Sequence, residues 1–100
     1  MNGMMAPTLP KITAYCQQQP IRRLSLFGSV LRADFTSESD VDMLVEFEPG
    51  SGITYLDMVD IHDALTELIG RPVDLLTPAA LSPYFRQQVL DAAVVIYERA

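Results

Sequence analysis

The chain has 100 residues and a formal net charge of −6, with 49% hydrophobic and 20% charged residues. This balance is typical of one folded domain and excludes a disordered tail, so we expect a single domain over residues 1–100 with a flexible start at 1–7. Only seven Lys and Arg are present, which argues against a dedicated nucleic-acid-binding surface.

Cysteine usage and hydropathy both favour a cytoplasmic protein. The single cysteine, Cys16, cannot form an internal disulfide. No apolar run approaches the roughly 18 residues needed to span a bilayer, and the first residues lack the basic region of a signal peptide. We therefore expect no contact with a membrane.

Helices and strands alternate along the chain. In order, the predicted elements are a helix capped by Thr8 and ended by Pro20, a strand over 21–27, a short helix over 29–33, a polar loop over 34–39, a strand over 41–46, a long helix from Thr54 to Gly70, a strand over 73–76, one helical turn over 78–81 and a helix over 83–91. Residues 92–97 are either a fourth strand or the tail of the last helix. The pattern predicts an α/β domain with a mixed sheet of three or four strands and helices packed against it.

The long helix is the clearest of these elements. Thr54 followed three residues later by Asp57 is close to a capping box, and Gly70 with Pro72 just beyond is a typical helix end. The apolar residues between them repeat at helical spacing. The opening Arg22-Arg23 pair of the first strand is interpreted as solvated.

The most informative stretch runs from Leu24 to Phe47 and reads LSLFGSVLRADFTSESDVDMLVEF. Its first apolar run stops at Gly28-Ser29, where a strand can lead into a helix whose first backbone N–H groups are available to an anion. This position is a candidate phosphate site.

Two carboxylates, Asp40 and Asp42, lie on either side of Val41 at the start of the next apolar run. Residues two apart in a strand share a face, so both carboxylates point the same way. They repel each other unless a cation lies between them, and an oxygen-only pair suits Mg²⁺ better than zinc. The stretch therefore predicts a metal bound beside a phosphate.

The pattern G-S-x-x-R followed by S-D-x-D and apolar residues resembles the nucleotidyltransferase signature of the DNA polymerase β-like superfamily. The short chain resembles its smallest members, the minimal nucleotidyltransferase (MNT) antitoxins that accompany HEPN ribonuclease toxins in prokaryotes. The match is tight over residues 28–47 and looser over the later VDLLTPAAL and VVIYE. One position departs from it, because many relatives have Gly where this chain has Ala33. The resemblance implies a small nucleotidyltransferase palm fold.

The resemblance also implies a role for each acid. Asp40 and Asp42 bind two Mg²⁺ ions, since nucleotidyl transfer uses two metals roughly 4 Å apart. Asp74, in a place similar to the third acidic residue of the family, completes the metal site and lowers the pKa of the attacking hydroxyl or accepts its proton.

The phosphate side of the site is assigned to three residues. Gly28 lets the backbone approach the β- and γ-phosphates of ATP, and Ser29 adds a hydroxyl donor. Arg32, one helical turn further on, reaches a phosphate or instead pairs with Asp34 or Glu38 at the surface.

Other candidate residues have simpler interpretations. Glu46, on the same strand face as the two acids, is interpreted as solvated. The remaining candidates are interpreted structurally, with His62 as a helix-surface residue, Cys16 as packed, and Tyr84 and Phe85 as either core residues or partner contacts.

Three functions fit the sequence. The leading hypothesis is an antitoxin that transfers AMP from ATP to a tyrosine hydroxyl of a cognate HEPN toxin, with which it forms a hetero-oligomer; the acceptor and the nucleotide rest on the resemblance. The alternative is an antitoxin that neutralises the toxin by stable binding without catalysis. A small transferase that acts on another protein or small molecule stays open.

Overall fold

The structure, a computed structural model, describes residues 8–31 and 39–99. Within these ranges the elements are α1 (Leu9–Gln17), β1 (Ile21–Phe27), one 3-10 turn that we call the Gly28 turn (Gly28–Leu31), β2 (Val41–Phe47), α2 (Tyr55–Ile69), β3 (Val73–Leu76), a second 3-10 turn that we call the Pro78 turn (Pro78–Ala80), α3 (Arg86–Ala92) and β4 (Val94–Glu98). The predicted start at 1–7 and the loop over 34–38 lie outside the described residues.

The four strands form one mixed sheet in the order β3-β2-β1-β4. β1 pairs antiparallel with both β2 and β4, whereas β2 pairs parallel with β3. The segment 92–97, which the sequence left between strand and helix, supplies β4. The predicted α/β fold with a mixed sheet is thereby confirmed.

One face of the sheet carries the hydrophobic core. Ile12 and Cys16 of α1 and Ile61 and Leu65 of α2 pack in one cluster with alternate residues of β1 and β2, among them Leu24, Leu26, Met43 and Val45. Each fully buried aliphatic side chain of this kind contributes about 1.5 to 3 kcal/mol of transfer free energy. Since α1 and α2 both cover this face, residues of opposite parity on the strands are left for the other face.

Local signals at the ends of α2 agree with the sequence. Thr54 and Asp57 form a complete capping box, in which the Asp57 N–H donates to Thr54 Oγ1 at 3.3 Å and the Thr54 N–H donates to Asp57 Oδ2 at 2.9 Å. Gly70 closes the helix with φ of +79°, a left-handed conformation that favours glycine.

The ends of α1 are arranged differently from the prediction. Thr8 occupies the N-cap position, but its side chain makes no capping hydrogen bond. The carboxyl end is instead bound by Arg99, whose Nη2 donates to the carbonyl oxygens of Cys16 and Gln17 at 3.2 Å and of Gln19 at 2.7 Å. These contacts tie the segment after β4 to the first helix.

The segment before α3 also differs from the prediction. The helix begins at Arg86 rather than at residue 83, and Tyr84 and Phe85 are 90% and 57% exposed. They are therefore not core residues, which removes one of the two interpretations left open. None of the helices in the described ranges has the length and apolar character needed to cross a membrane.

Candidate active site

Strand pairing places two of the predicted acids side by side. Asp42 of β2 and Asp74 of β3 are register partners on neighbouring parallel strands, which lie about 4.8 Å apart in a sheet. Register partners point to the same face, here the face opposite α1 and α2. Asp40 lies two residues before Asp42, at the entry to β2, and is exposed.

Gly28 lies against the same carboxylate. Phe27, the last residue of β1, pairs with Asp42, so the chain leaves the sheet directly beside that side chain. Gly28 has φ of +70°, and a Cβ atom built on it would overlap Asp42 Oδ2 and lie 3.2 Å from Asp42 Cγ. Only glycine lets the backbone run this close to the carboxylate, as a backbone that approaches a ligand requires.

The structure says less about the other two predicted phosphate contacts, Ser29 and Arg32. Ser29 lies in the Gly28 turn, directly after the glycine, and the role of its hydroxyl stays a prediction. Arg32 lies outside the described residues, as do Ala33, Asp34 and Glu38. The short helix predicted over 29–33 is a 3-10 turn over Gly28–Leu31.

The acids themselves do not form a closed metal cage. Over residues 8–31 and 39–99, no three His, Cys, Asp or Glu side chains are grouped to hold a metal ion. Asp40 and Asp74 are exposed, whereas Asp42 is half-buried. The three-carboxylate metal site stays a prediction.

The residues nevertheless fit a divalent cation by their chemistry. Two carboxylates in register on adjacent strands repel each other, and a cation between them removes the repulsion. All the donor atoms are oxygens, the ligand type that Mg²⁺ prefers. The missing side chain of Gly28 lets the Asp42 carboxylate lie against the backbone at the end of β1.

An ion-pair cluster on the same face corrects two interpretations from the sequence. Arg23 Nη1 lies 3.2 Å from Glu46 Oε2, and Arg23 Nη2 lies 2.5 Å from Glu98 Oε2. Arg23 is thus not merely the solvated start of β1, and Glu46 is half-buried and paired. The hydrogen bond to Glu98 and the charge of Glu46 raise the pKa of Arg23 above its ordinary value.

Sequence reasoning missed this cluster because its members come from three strands. Alternation along β2 already places Glu46 on the Asp42 face, but it does not identify the partner of Glu46. Arg23 and Glu98 lie 75 residues apart, and no local pattern predicts that β4 pairs with β1.

The chain matches a known protein family over most of its length. Residues 10–100 match the family described as polymerase beta, nucleotidyltransferase. The chain belongs to this family. The resemblance inferred from G-S-x-x-R and S-D-x-D is confirmed.

Relatives of known description support the assignment to the nucleotidyltransferase family. A candidate protein adenylyltransferase of Methanocaldococcus jannaschii is 37% identical over 84 residues, which cover 84% of this chain and 88% of the relative. The protein adenylyltransferase MntA of Thermococcus cleftensis is 32% identical over 76 residues, which cover 76% of this chain and 75% of the relative.

Solved structures share the fold. A candidate minimal nucleotidyltransferase superposes with a TM-score of 0.76 at 34% identity, covering 90% of both chains. The MNT antitoxin complex with the tri-AMPylated HEPN toxin of Shewanella oneidensis gives a TM-score of 0.67 at 18% identity, covering 95% of this chain and 73% of that one. The chain is therefore a nucleotidyltransferase with the minimal fold of its family.

Proposed function

We propose that this chain is an antitoxin that transfers AMP from ATP to a tyrosine hydroxyl of a cognate HEPN-family toxin. The observation that carries the proposal is the placement of Asp42 in register with Asp74 and against Gly28. The names of the two relatives support a protein as acceptor, and the solved complex with an AMPylated HEPN toxin supports the kind of partner.

Three acids are assigned to the metal-binding part of the mechanism. Asp40, Asp42 and Asp74 would hold two Mg²⁺ ions, which when bound supply charge stabilisation for the attacking and leaving oxygens. Asp40 and Asp42 are the pair assigned to both ions, and Asp74, the register partner of Asp42 on β3, would complete the site.

The remaining steps belong to the chain itself. Gly28 provides room for the β- and γ-phosphates at the end of β1. The acceptor oxygen forms a bond to the α-phosphorus while the bond from that phosphorus to the bridging oxygen breaks, and pyrophosphate leaves. Asp74, which is exposed, would lower the pKa of the acceptor hydroxyl through the metal that it helps to hold, or would accept the proton of that hydroxyl.

Neutralisation by binding alone is the second candidate. The solved toxin-antitoxin complexes that share this fold support it. An antitoxin of this kind would silence the toxin through a stable complex and would need neither ATP nor a metal.

The first test is incubation of the purified chain with the HEPN-family protein encoded beside it, Mg²⁺ and ATP, with the partner's mass as readout. We expect a gain of one or more AMP units. Asp42→Asn should lower the rate by about 100-fold or more, because it removes a carboxylate that would hold the metal ions which stabilise the transition state. Asp60→Asn is the matched control, since Asp60 is an exposed acid on α2, and it should leave the rate unchanged.

The two candidates give different results in this experiment. AMP transfer is supported if the partner gains mass with the wild type and with Asp60→Asn but not with Asp42→Asn. An unchanged partner mass, with the toxin silenced equally by both forms, contradicts the enzymatic proposal and leaves neutralisation by binding.

A further inference from the structure

A cleft opens on the sheet face that carries Asp42 and Asp74. Its volume is about 200 Å³, and we call it the Leu44 cleft. The residues that line it come from β1, β2, β4, the Pro78 turn and the end of α3: Arg23, Ser25, Leu44, Glu46, Pro78, Leu90, Ala93 and Val95. Leu44 follows Asp42 by two residues on the same strand, so the cleft adjoins the acids.

The outer wall of the cleft is held in place by Arg86. Its Nε donates to the Pro78 carbonyl oxygen at 2.9 Å, and its Nη2 donates to the carbonyl oxygens of Ala79 at 3.3 Å and Leu81 at 3.0 Å. The Pro78 turn is thereby joined to the start of α3, whose far end carries Leu90. These hydrogen bonds stabilise the wall of the cleft.

The Leu44 cleft and Gly28 lie on opposite sides of Asp42 along the strands. β1 and β2 are antiparallel, and Phe27 pairs with Asp42 while Ser25 pairs with Leu44. Gly28 therefore lies beyond one end of the Asp42 position, and the Leu44 cleft lies beyond the other.

Phosphoryl-type transfer requires the attacking and leaving oxygens to lie roughly in line on opposite sides of the phosphorus. With pyrophosphate leaving over Gly28, the acceptor hydroxyl has to approach from the Leu44 side. We propose that the Leu44 cleft is the acceptor subsite, which binds a side chain of the protein segment that presents the hydroxyl. This inference rests on the proposed transfer of AMP.

Size and charge favour a protein segment as the occupant. A volume of about 200 Å³ is below the roughly 300 to 1,000 Å³ of pockets that enclose small molecules, so the cleft holds a side chain rather than a nucleotide. Leu90 and Val95 present aliphatic surface that suits an apolar or aromatic group, while Leu44 is only 2% exposed. Arg23 is paired with two glutamates, so the cleft has no excess positive charge to bind a nucleic-acid backbone.

The test uses two valines of β4 that differ in the face they occupy. Val95 is 48% exposed and lines the cleft. Val94 pairs with Leu26, which belongs to the core cluster on the other face. Val95→Trp partly fills the cleft on a strand that accepts aromatic residues, and Val94→Trp is the matched control.

We expect Val95→Trp to raise the KM for the HEPN-family acceptor about tenfold, as loss of a buried side-chain contact does. Its Kd for a non-hydrolysable ATP analogue with Mg²⁺ should equal that of the wild type. Val94→Trp should leave both quantities unchanged. An unchanged acceptor KM in Val95→Trp, or a weakened affinity for the ATP analogue, would overturn the assignment of the cleft to the acceptor.

Crosslinking gives a second measurement that does not depend on filling the cleft. A photoreactive benzoyl-phenylalanine at position 95 should crosslink to the acceptor peptide that contains the AMPylated residue, whereas the same group at position 94 should not. The proposal would be contradicted if position 95 crosslinks only to parts of the acceptor outside the peptide that contains the AMPylated residue. Absence of AMP transfer by the wild type would instead contradict the proposed function, so the two failures are distinguishable.

Discussion

A single missing side chain at Gly28 defines the phosphate side of the candidate site. Its φ of +70° and its closeness to Asp42 are two separate requirements for glycine, one of the backbone and one of space. Gly50 meets only the first, with φ of +76° and no atom within 4 Å of the point where a Cβ would lie. Comparing substitutions at Gly28 and Gly50 therefore separates the effect of backbone strain from the effect of contact with Asp42.

Gly28→Ala and Gly50→Ala should each lower the free energy of unfolding by about 1 to 2 kcal/mol, because alanine is strained at positive φ. Gly28→Ala alone should reduce AMP transfer, by about 100-fold, since it displaces the Asp42 carboxylate. Denaturant unfolding and the transfer assay measure the two effects. A Gly28→Ala protein that is destabilised but fully active would show that closeness to Asp42 has no bearing on the chemistry.

A histidine adds a hydrogen bond to the apolar contact between α2 and β3. His62 Nε2 lies 2.8 Å from the Val73 carbonyl oxygen, which can only accept, so Nε2 is the donor of this hydrogen bond. Its Nδ1 lies 3.0 Å from Asp63 Oδ1 on the same helix. The prediction of a helix-surface residue was right about exposure but missed this link, because β3 had no fixed place relative to α2 in the sequence.

His62→Ala should lower the free energy of unfolding by about 1 kcal/mol and speed hydrogen exchange in β3, since one hydrogen bond to the edge strand is lost. His62→Gln, whose amide nitrogen can take the place of Nε2, should recover most of the loss. Asp63→Ala serves as control because it removes only the contact to Nδ1. Equal exchange rates in His62→Ala and wild type would show that the hydrogen bond from His62 does not stabilise β3.

The start of α3 shows why element ends were harder to predict than element types. Ser82-Pro83 has the form of a helix start, yet the helix begins three residues later. The carbonyl oxygens of residues 78, 79 and 81 are taken by the Arg86 guanidinium, and Phe85 N–H donates to the Ser82 carbonyl oxygen in a turn. The long side chain of Arg86 thus stabilises a turn that local sequence rules do not include.

At the scale of the whole molecule, alkaline pH acts on the core through Cys16. Burial raises the pKa of this thiol from 9.0 to about 11, although the charge of Arg99 acts in the opposite direction. Burial likewise raises the pKa of the neighbouring Tyr15. Because the folded state holds the Cys16 proton more tightly than the unfolded state, this contribution to stability is complete below pH 9 and is lost as the pH rises towards 11.

The wild type should therefore lose about 2 to 3 kcal/mol more than Cys16→Ala between about pH 8.5 and 11.5, roughly the free energy of the pKa difference. Denaturant unfolding of both proteins across this range measures it, and titrating groups that do not interact with Cys16 cancel in the comparison. Parallel pH profiles for the two proteins would contradict the prediction.

The secondary structure could be predicted from the sequence more completely than the arrangement of the candidate site. The strands β1 to β3 and the helix α2 follow from apolar patterns, Gly70 and the Thr54 capping box, all of which act over a few residues. The pairing of Asp42 with Asp74 depends on β2 and β3 being neighbours, which the resemblance implied but no local signal shows. The cluster of Arg23, Glu46 and Glu98 needs the full strand order, so it became visible only in the folded chain.

The division of the sheet into two faces affects how this protein can change over evolutionary time. Substitutions on the α1 and α2 side alter the core and are limited by the small stability margin of a single domain. Residues such as Leu90 and Val95 lie on the other side and are partly exposed, so they can vary at little cost to folding. A lineage can therefore acquire a new acceptor preference while its nucleotide chemistry and its fold stay the same.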